Sequence, residues 1–172
     1  LQLEAALRFF LSPRCAYVSG QPVRISARVH APQVAGFVAP LKNKTALVTG
    51  AAGGIGSATV RRLAQEGARV LCVDVPQAQS GLEALARAVG GVALALDLTA
   101  SESAEVIASH LRDTGVDVLV HNAGVTRDKT IAKMDARRWD ECLAVNLEAL
   151  IRIDRVLEQQ NLLRDEARVI CL

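Results

Sequence analysis

The sequence predicts an α/β fold, a doubly wound open sheet of parallel strands with helices packed on both of its faces. Two observations predict it. Short apolar runs alternate along the chain with segments of helical spacing, which is the rhythm of strand–helix–strand units. Aromatic residues make up only 3% of the 172 residues, so Val, Leu, Ile and Ala must build the core, as suits a sheet buried on both faces.

The elements follow in order after residue 43. Apolar runs predict five buried strands, over residues 44–50, 68–74, 92–97, 116–122 and 167–172. Helical spacing predicts crossovers over residues 54–66, 80–91, 103–115 and 135–160. Glycine stops the first three of these helices. We expect an incomplete sheet that ends after its fifth strand. The residues that end the first four strands should share one edge of the sheet. They are Gly50, Asp74, Asp97 and Asn122.

A segment of different character precedes this alternating region. Residues 1–29 combine helical spacing over residues 3–11 with a loop and partial strand alternation. Residues 30–42 contain two prolines and small turn residues, which are typical of a linker. We therefore expect an N-terminal segment over 1–29, a linker over 30–42 and the main domain over 43–172.

Composition and charge exclude several classes of function. The net charge of +2, without any block of Lys and Arg, gives no reason to expect nucleic acid as a partner. No apolar run reaches the ~18 residues that span a bilayer, and the opening segment lacks the basic start of a signal peptide, so no membrane partner is expected. The cysteines form no C-x-x-C pair, which predicts reduced core thiols in a cytoplasmic protein and no metal site. They are Cys15, Cys72, Cys142 and Cys171.

A glycine-rich stretch, T-G-A-A-G-G-I-G, follows the first strand and opens the first helix. Gly50 permits a sharp turn, Gly54 lets the backbone approach a pyrophosphate, and Gly56 lets the helix pack close to the strand. The helix N-terminus adds free N–H groups and partial positive charge. The alternative is a tight turn without a ligand. The context favours a dinucleotide site that includes Thr49, Gly50, Gly53, Gly54, Ile55 and Gly56.

Acidic residues end the second and third strands. Asp74 lies 18 residues after the last glycine of the turn, where a carboxylate accepts from the adenosine ribose hydroxyls and repels a 2′-phosphate. No basic residue follows it at once and Gly53 offers none, so NAD(H) is favoured over NADP(H); the alternative is a solvated strand-end carboxylate. Asp97 should hydrogen-bond near the adenine, or else cap the next helix, for which Ser101 and Ser103 are nearer candidates.

Two asparagine positions complete the candidate site. Asn122, Ala123 and Gly124 end the fourth strand, where a slim chain lets a cofactor ribose pass, although this triplet is also an ordinary turn. Asn146 falls on the apolar stripe of the long helix, formed by Trp139, Leu143, Leu150, Ile153 and Leu157. An unpartnered buried amide costs ~1–3 kcal/mol, so Asn146 either joins helix to sheet or serves the site, and a site role is favoured. Trp139 itself is expected to anchor the core.

Together these motifs resemble the short-chain dehydrogenase/reductase superfamily over residues 42–172. The matching elements keep their order: T-G-x-x-x-G-x-G, the strand-end Asp74, the pair Asp97–Leu98, the triplet Asn122–Gly124, and Asn146. The resemblance implies a Rossmann fold and an NAD(P)-dependent oxidoreductase in which hydride passes to a carbonyl carbon, with Asn, Ser, Tyr and Lys as catalytic residues. Asn146 takes the place of that Asn and is expected to hold a water. The family's Ser and Tyr-x-x-x-Lys would follow the end of this sequence.

The stretches H-N-A-G-V-T-R-D and W-D-E-C-L-A-V-N-L look more narrowly like 3-oxoacyl-acyl-carrier-protein reductases, apart from His121, where that branch commonly has Asn. This implies reduction of 3-oxoacyl thioesters of acyl carrier protein or CoA in fatty acid biosynthesis, by a homodimer or tetramer. The segment A-L-R-F-F-L to P-V-R-I resembles the closing segment of the same superfamily. The chain therefore looks like a fragment of the high-molecular-weight bacterial reductases, which carry tandem Rossmann-like domains.

Three functions stay open. The first is an NADH-dependent 3-oxoacyl reductase whose 172-residue piece is inactive alone, since the only tyrosine, Tyr17, has no Lys four residues on. The second is a dinucleotide-binding module without chemistry. The third is a short-chain dehydrogenase for another alcohol or ketone, because the substrate preference rests only on residues 126–128. Within them, Arg127 either steers an acidic carrier protein or is a solvated loop residue.

Overall fold

The chain divides into two units, Leu1–Ala35 and Gly36–Leu172. A computed structural model describes residues 39–128 and 130–172, together with Phe9, Phe10 and Cys15. The predictions for residues 1–29 and for most of the linker 30–42 therefore lie outside the described residues. In the first unit, the rings of Phe9 and Phe10 meet edge to face with their centroids 5.5 Å apart.

The second unit alternates strands and helices along the chain. The strands are β1 (Thr45–Thr49), β2 (Arg69–Asp74), β3 (Val92–Ala95), β4 (Val116–His121) and β5 (Leu163–Cys171). The helices are α1 (Gly54–Gln65), α2 (Gln79–Val89), α3 (Ser103–Leu111), α4 (Ala136–Leu143) and α5 (Ala149–Gln159). A π-helical segment, Ala144–Glu148, joins α4 to α5, and short 3₁₀ turns span Pro76–Ala78 and Ile131–Lys133. Three glycines that the sequence places after α1, α2 and α3 all adopt positive φ: Gly67, Gly90 and Gly115.

Within the described residues, five strands form one parallel sheet in the order β3-β2-β1-β4-β5. β1 is central, and its Val48 pairs with Cys72 of β2 on one side and with Val120 of β4 on the other. The chain winds outward from β1 to β3 and then returns to place β4 on the opposite side of β1. This reversal opens a crevice at the carboxyl ends of β1 and β4. The predicted fold class is confirmed.

The sheet is buried on both faces because successive side chains of its central strands point in opposite directions. All five residues of β1 are buried. On one face, the strands pack against α3 and α5 through Leu47, Leu119, Ile107, Ile153 and Leu157. On the other face, they pack against α1 and α2 through Val48, Val120, Val60, Leu82 and Leu85. Among the described residues no aromatic side chain is buried, in agreement with the predicted aliphatic core.

The long helix predicted over residues 135–160 is interrupted. The π-helical segment Ala144–Glu148 inserts an extra residue between α4 and α5, so the residues on its two sides do not share one continuous face. Ile153 and Leu157 of α5 are fully buried as predicted. Trp139 of α4 is 56% exposed, so the prediction that it anchors the core is wrong. The apolar stripe read from the sequence assumed an uninterrupted helical period.

The edge strand β5 begins earlier than predicted. It runs from Leu163 rather than from residue 167, and its pairing with β4 shifts register so that Leu163 faces Val116 and Arg168 faces Val118. The irregular part includes Glu166, whose φ is +64°. Only the second half of the strand is apolar, which is why only that half was predicted. Cys171 is exposed on this edge, so the prediction of a core thiol is wrong for it.

Candidate functional site

The carboxyl ends of β1 to β4 surround a cavity of about 570 Å³. It brings together the glycine-rich turn, the two strand-end aspartates and the loop after β4. Its lining includes eleven predicted site residues: Gly50, Gly53, Gly54, Ile55, Gly56, Asp74, Asp97, Leu98, Asn122, Ala123 and Gly124. Thr49 and Asn146 do not line the cavity directly. Thr49 is fully buried beneath it, and the neighbour of Asn146, Val145, forms part of the wall.

The glycine-rich turn between β1 and α1 requires two of its glycines for packing. Gly50 has φ +63°, and a Cβ atom there would lie 2.8 Å from the Cα atom of Ala123. At Gly56, a Cβ atom would lie 2.0 Å from the carbonyl oxygen of Gly50. Gly56 therefore lets α1 approach the end of β1, as predicted, whereas Gly50 makes the turn and lets it approach the loop after β4. Gly54 is different, because a Cβ atom there would meet nothing within 4 Å.

The N-terminus of α1 opens into the cavity. Its N-cap residue is Gly53, and no side chain of the described residues caps the helix. The first turn also carries no acidic residue. The backbone N–H groups of Gly54, Ile55 and Gly56 are therefore available together with the positive end of the helix dipole, which is the environment that an anionic group prefers.

Thr49 and Asn122 fasten the turn to the loop after β4. The Thr49 hydroxyl accepts hydrogen bonds of 3.1 Å from the backbone N–H groups of both Asn122 and Ala123. In return, Nδ2 of Asn122 donates to the carbonyl oxygens of Thr49 (3.0 Å) and Gly50 (2.9 Å). The amide of Asn122 thus holds the shape of the cavity floor, so its donor group is already used before any ligand binds.

Asp74 stands beside the glycine-rich turn at the end of β2. Its Oδ2 accepts a 2.8 Å hydrogen bond from the backbone N–H of Ala52, and its Oδ1 accepts one of 2.8 Å from Val75. The first bond orients the carboxylate toward the turn. An ionised carboxylate has about four acceptor positions, so two remain for the hydroxyl groups of a ligand.

Asp97 lies after β3, at the cavity end farthest from β4. Its Oδ1 accepts from the backbone N–H of Thr99 (2.9 Å) and from the Thr99 hydroxyl (2.7 Å). These bonds lower the pKa of the Asp97 carboxyl, the backbone bond having the larger effect. The capping role suggested for Ser101 and Ser103 is wrong. Ser101 donates to Glu102, and Ser103 donates 2.9 Å to the carbonyl oxygen of Leu98, because α3 begins at Ser103 itself.

Asn146 lies in the π-helical segment and is exposed rather than buried. Its Oδ1 accepts from the backbone N–H of Val125 (2.8 Å), and its Nδ2 donates to the carbonyl oxygen of the same residue (2.9 Å). Nδ2 also lies 3.5 Å from Sγ of Cys142. Both amide atoms therefore clamp the loop after β4 onto the helix. The expected burial was wrong because the π-helical segment turns this position away from the core.

Three polar contacts near the site were not predicted. The fully buried His121 places Nε2 2.9 Å from Oδ1 of Asp154 on α5, while its Nδ1 has no partner among the described residues. Arg152, also on α5, donates 2.6 Å to the carbonyl oxygen of Leu98. Arg127 forms a 3.0 Å ion pair with Glu141, which also lies 3.8 Å from Arg137. No sequence motif signals these contacts.

Two further findings concern other classes of site. No group of three or more His, Cys, Asp or Glu side chains in the described part of the chain is placed to hold a metal ion. Among those same residues, no helix combines the length and the hydrophobicity needed to span a membrane.

The strand order, the glycine-rich turn after β1 and the carboxylate at the end of β2 are typical of one class of α/β proteins. Proteins of this class bind dinucleotides at a topological switch point. The family profile described as short chain dehydrogenase matches residues 44–171. The chain belongs to the short-chain dehydrogenase/reductase family, whose members are oxidoreductases that bind NAD(P)(H).

Several relatives narrow the similarity. The chain is 35% identical over 134 residues to the 3-oxoacyl-acyl-carrier-protein reductase FabG of Vibrio cholerae, which covers 76% of this chain and 54% of that protein. It is 33% identical over 135 residues to the FabG of Escherichia coli K12, with the same coverages, 76% and 54%. Hydroxyacyl-CoA dehydrogenase ChsB1 of Mycobacterium tuberculosis is 36% identical over 124 residues, which cover 67% of this chain and 39% of that protein. The chain thus spans about half the length of the FabG relatives.

A solved structure agrees with this assignment. A short-chain dehydrogenase/reductase from Brucella melitensis, described as a glucose/ribitol dehydrogenase, superposes with a TM-score of 0.70 at 25% identity. The match covers 76% of this chain and 56% of that one. The family's fold is therefore shared over most of the described unit.

Proposed function

We propose that this chain is the cofactor-binding part of an NADH-dependent reductase that converts 3-oxoacyl thioesters to 3-hydroxyacyl thioesters. The observation that carries the proposal is the position of Asp74 beside the open N-terminus of α1, in a chain similar to FabG reductases. The nicotinamide cofactor supplies a hydride to the substrate carbonyl. The residues of this chain bind and orient it.

The cavity fits a dinucleotide by the chemistry of its lining. The free N–H groups at Gly54, Ile55 and Gly56 suit a pyrophosphate, and the open space at Gly54 admits its close approach. Asp74 suits the two hydroxyl groups of an adenosine ribose. Asn122, Ala123 and Gly124 then form the floor on the nicotinamide side, and Thr49 holds them from beneath.

The preference for NADH over NADPH rests on charge. A 2′-phosphate would lie against the carboxylate of Asp74, and like charges in contact are costly. The residues best placed to answer that phosphate carry no positive charge: Gly53 precedes α1, and Val75 follows Asp74. The 2.8 Å bond from Ala52 keeps the carboxylate in place.

Asn146 has a positioning role in this proposal. The resemblance assigns it a bound water, yet both of its amide atoms hydrogen-bond Val125. A Cβ atom at Gly124 would lie 3.5 Å from Oδ1 of Asn146. We infer that Asn146 fixes the loop that closes the nicotinamide end of the cavity.

The substrate class is a 3-oxoacyl thioester, and the carrier is acyl carrier protein or CoA. The names of the FabG relatives support the first carrier and that of the ChsB1 relative supports the second. We also propose a cytoplasmic homodimer or tetramer for the whole protein, without nucleic acid or membrane as partner. Residues 1–29 would then be the end of a preceding Rossmann-like domain, joined by the linker 30–42 to the reductase domain over 43–172.

A second candidate is a dinucleotide-binding module without chemistry. Within the 172 residues, the only tyrosine, Tyr17, has Gln21 rather than Lys four residues on. For the 172-residue chain we therefore expect NADH binding but no oxidation of NADH by acetoacetyl-CoA. Measured turnover would contradict this expectation. A longer parent chain carrying Ser and Tyr-x-x-x-Lys after Leu172 would favour the reductase over the module.

The cofactor preference is tested with the variant Asp74→Asn. Asparagine keeps an oxygen that accepts from Ala52 but loses the charge, so NADH affinity should fall and NADPH affinity should rise, each by about 5–10-fold. NADH and NADPH fluorescence titrations of the wild type and the variant give the four dissociation constants. If the variant lost the same factor of affinity for NADH and for NADPH, at an unchanged melting temperature, the proposed role of Asp74 at the ribose would be refuted.

A further inference from the structure

We propose that Arg152 is a positioning residue for the end of the cavity that binds the base of the dinucleotide. Arg152 belongs to none of the motifs that define the candidate site. It would act from α5, through the loop after β3, on the group that contacts the base. This proposal rests on the proposed dinucleotide binding and adds a residue to it.

The loop after β3 is placed to contact the base by the order of the strands. The glycine-rich turn follows β1, Asp74 ends β2, and the segment Leu96–Leu98 follows β3, so the three lie in a row along the sheet edge. A pyrophosphate at the N-terminus of α1 and a ribose at Asp74 leave the base at the third position. The group there with free acceptor capacity is the Asp97 carboxylate.

The peptide group between Leu98 and Thr99 is held from both sides. Its carbonyl oxygen accepts from Nη2 of Arg152 (2.6 Å) and from Oγ of Ser103 (2.9 Å). These two bonds use both lone pairs of that oxygen. Its N–H donates 2.9 Å to Oδ1 of Asp97. The orientation of the peptide therefore decides where Asp97 points.

Arg152 contributes a charged donor to this chain of bonds. A hydrogen bond from a guanidinium is stronger than one from a neutral group, and it polarises the peptide so that the Thr99 N–H becomes a better donor. Asp97 Oδ1 is then occupied by Thr99, while Oδ2 has no partner among the described residues. The exocyclic amine of an adenine is the donor that this free oxygen would accept.

The guanidinium of Arg152 is itself constrained. Its Nε is buried and finds no partner within the described part of the chain. Its Nη2 reaches a carbonyl oxygen 54 residues away in sequence. Burying a guanidinium N–H group without a partner costs free energy. We expect such a cost where the orientation of the oxygen that the same guanidinium binds matters to function.

The test compares ligands that carry the base with one that does not. ADP-ribose contains the adenine and the pyrophosphate, whereas reduced nicotinamide mononucleotide contains neither the base nor its ribose. Dissociation constants for both ligands and for NADH are measured on the 172-residue chain, alone and with Arg152→Met or Arg152→Lys. Melting temperatures are recorded for every variant.

We expect Arg152→Met to weaken ADP-ribose and NADH by about 5–10-fold, the size of one typical net hydrogen bond, with the mononucleotide changed less than twofold. Arg152→Lys, which keeps a charged donor, should restore part of the ADP-ribose affinity. Equal weakening of both part-ligands, or no weakening of ADP-ribose, would overturn the proposal. If Arg152→Met does not fold, Ser103→Ala removes the other donor to the same oxygen and should weaken ADP-ribose selectively.

A double-mutant comparison separates this role from general support of the fold. If Arg152 acts through Asp97, Arg152→Met should cost less than twofold in ADP-ribose affinity once Asp97→Asn is present. Full additivity of the two effects would refute the route through Asp97. A wild-type chain that binds neither NADH nor ADP-ribose would refute the proposed function itself, which is a separate outcome.

Discussion

Replacing Gly56 with alanine should destabilise the junction of β1 and α1. The added Cβ atom would lie 2.0 Å from the carbonyl oxygen of Gly50 and 2.7 Å from Nδ2 of Asn122. That oxygen cannot turn away freely, because it accepts a 2.9 Å hydrogen bond from the same Nδ2. Either α1 moves away from the sheet or the bond to Asn122 breaks.

The size of the effect follows from three contributions. Overpacking costs about 1–3 kcal/mol, and a broken hydrogen bond costs about 1 kcal/mol more. The higher helix propensity of alanine returns about 1 kcal/mol. The net loss of about 2 kcal/mol in the free energy of unfolding should lower the melting temperature by about 4–8 °C in a domain of this size.

Thermal unfolding followed by circular dichroism measures the change. Gly81→Ala is the matched control, since it also lies in a helix, α2, but an added Cβ atom there meets nothing within 4 Å. We expect the control to melt at or slightly above the wild-type temperature. A Gly56→Ala variant that melts with the wild type would refute the close approach of α1 to Gly50.

Three further predictions follow from Thr49 and from the cysteines. Thr49→Val removes the acceptor of two backbone N–H groups and should lower the free energy of unfolding, measured by urea denaturation, by about 2 kcal/mol. Thr49→Ser keeps the acceptor and is the control. Equal stability of the two variants would contradict the role of the hydroxyl. Burial raises the pKa of the Cys72 thiol from 9.0 to about 11, so the stability it contributes is fully present below pH 9 and is lost as the pH rises towards 11. At pH 8, iodoacetamide should label the exposed Cys171 and spare Cys72, as checked by peptide mass mapping, and equal labelling of both in the native chain would show that Cys72 is accessible.

The residues that could be predicted from the sequence are those whose role is set by their neighbours in the chain. Gly50 directly follows β1, Asp74 ends β2, and Gly56 lies in the first turn of the helix after β1. The end of a parallel strand has only one place in such a sheet. The structure brings them together as expected. Their binding roles stay predictions until a ligand is titrated.

The contacts that escaped prediction join residues far apart in the sequence. Arg152 meets Leu98 across 54 positions, and His121 meets Asp154 across 33. Neither pair has a local pattern, because their geometry depends on how α5 is seated on the sheet. The exposure of Trp139 was not predicted for a different reason. The prediction applied a period of 3.6 residues throughout the helix, and the π-helical segment does not follow that period.

Because of the π-helical segment, the side chains before it and the side chains after it can face different directions around the helix axis. A residue in an α-helix turns by about 100° from the one before, so inserting one residue changes which direction every earlier side chain faces. Ile153 and Leu157 can therefore face the core, while Asn146 faces Val125. Deleting a single residue between 144 and 148 would force a choice between them: either the core of α5 or the clamp on the loop would lose its contacts. Separate parts of this helical region therefore support the wall of the cavity and the core of the sheet.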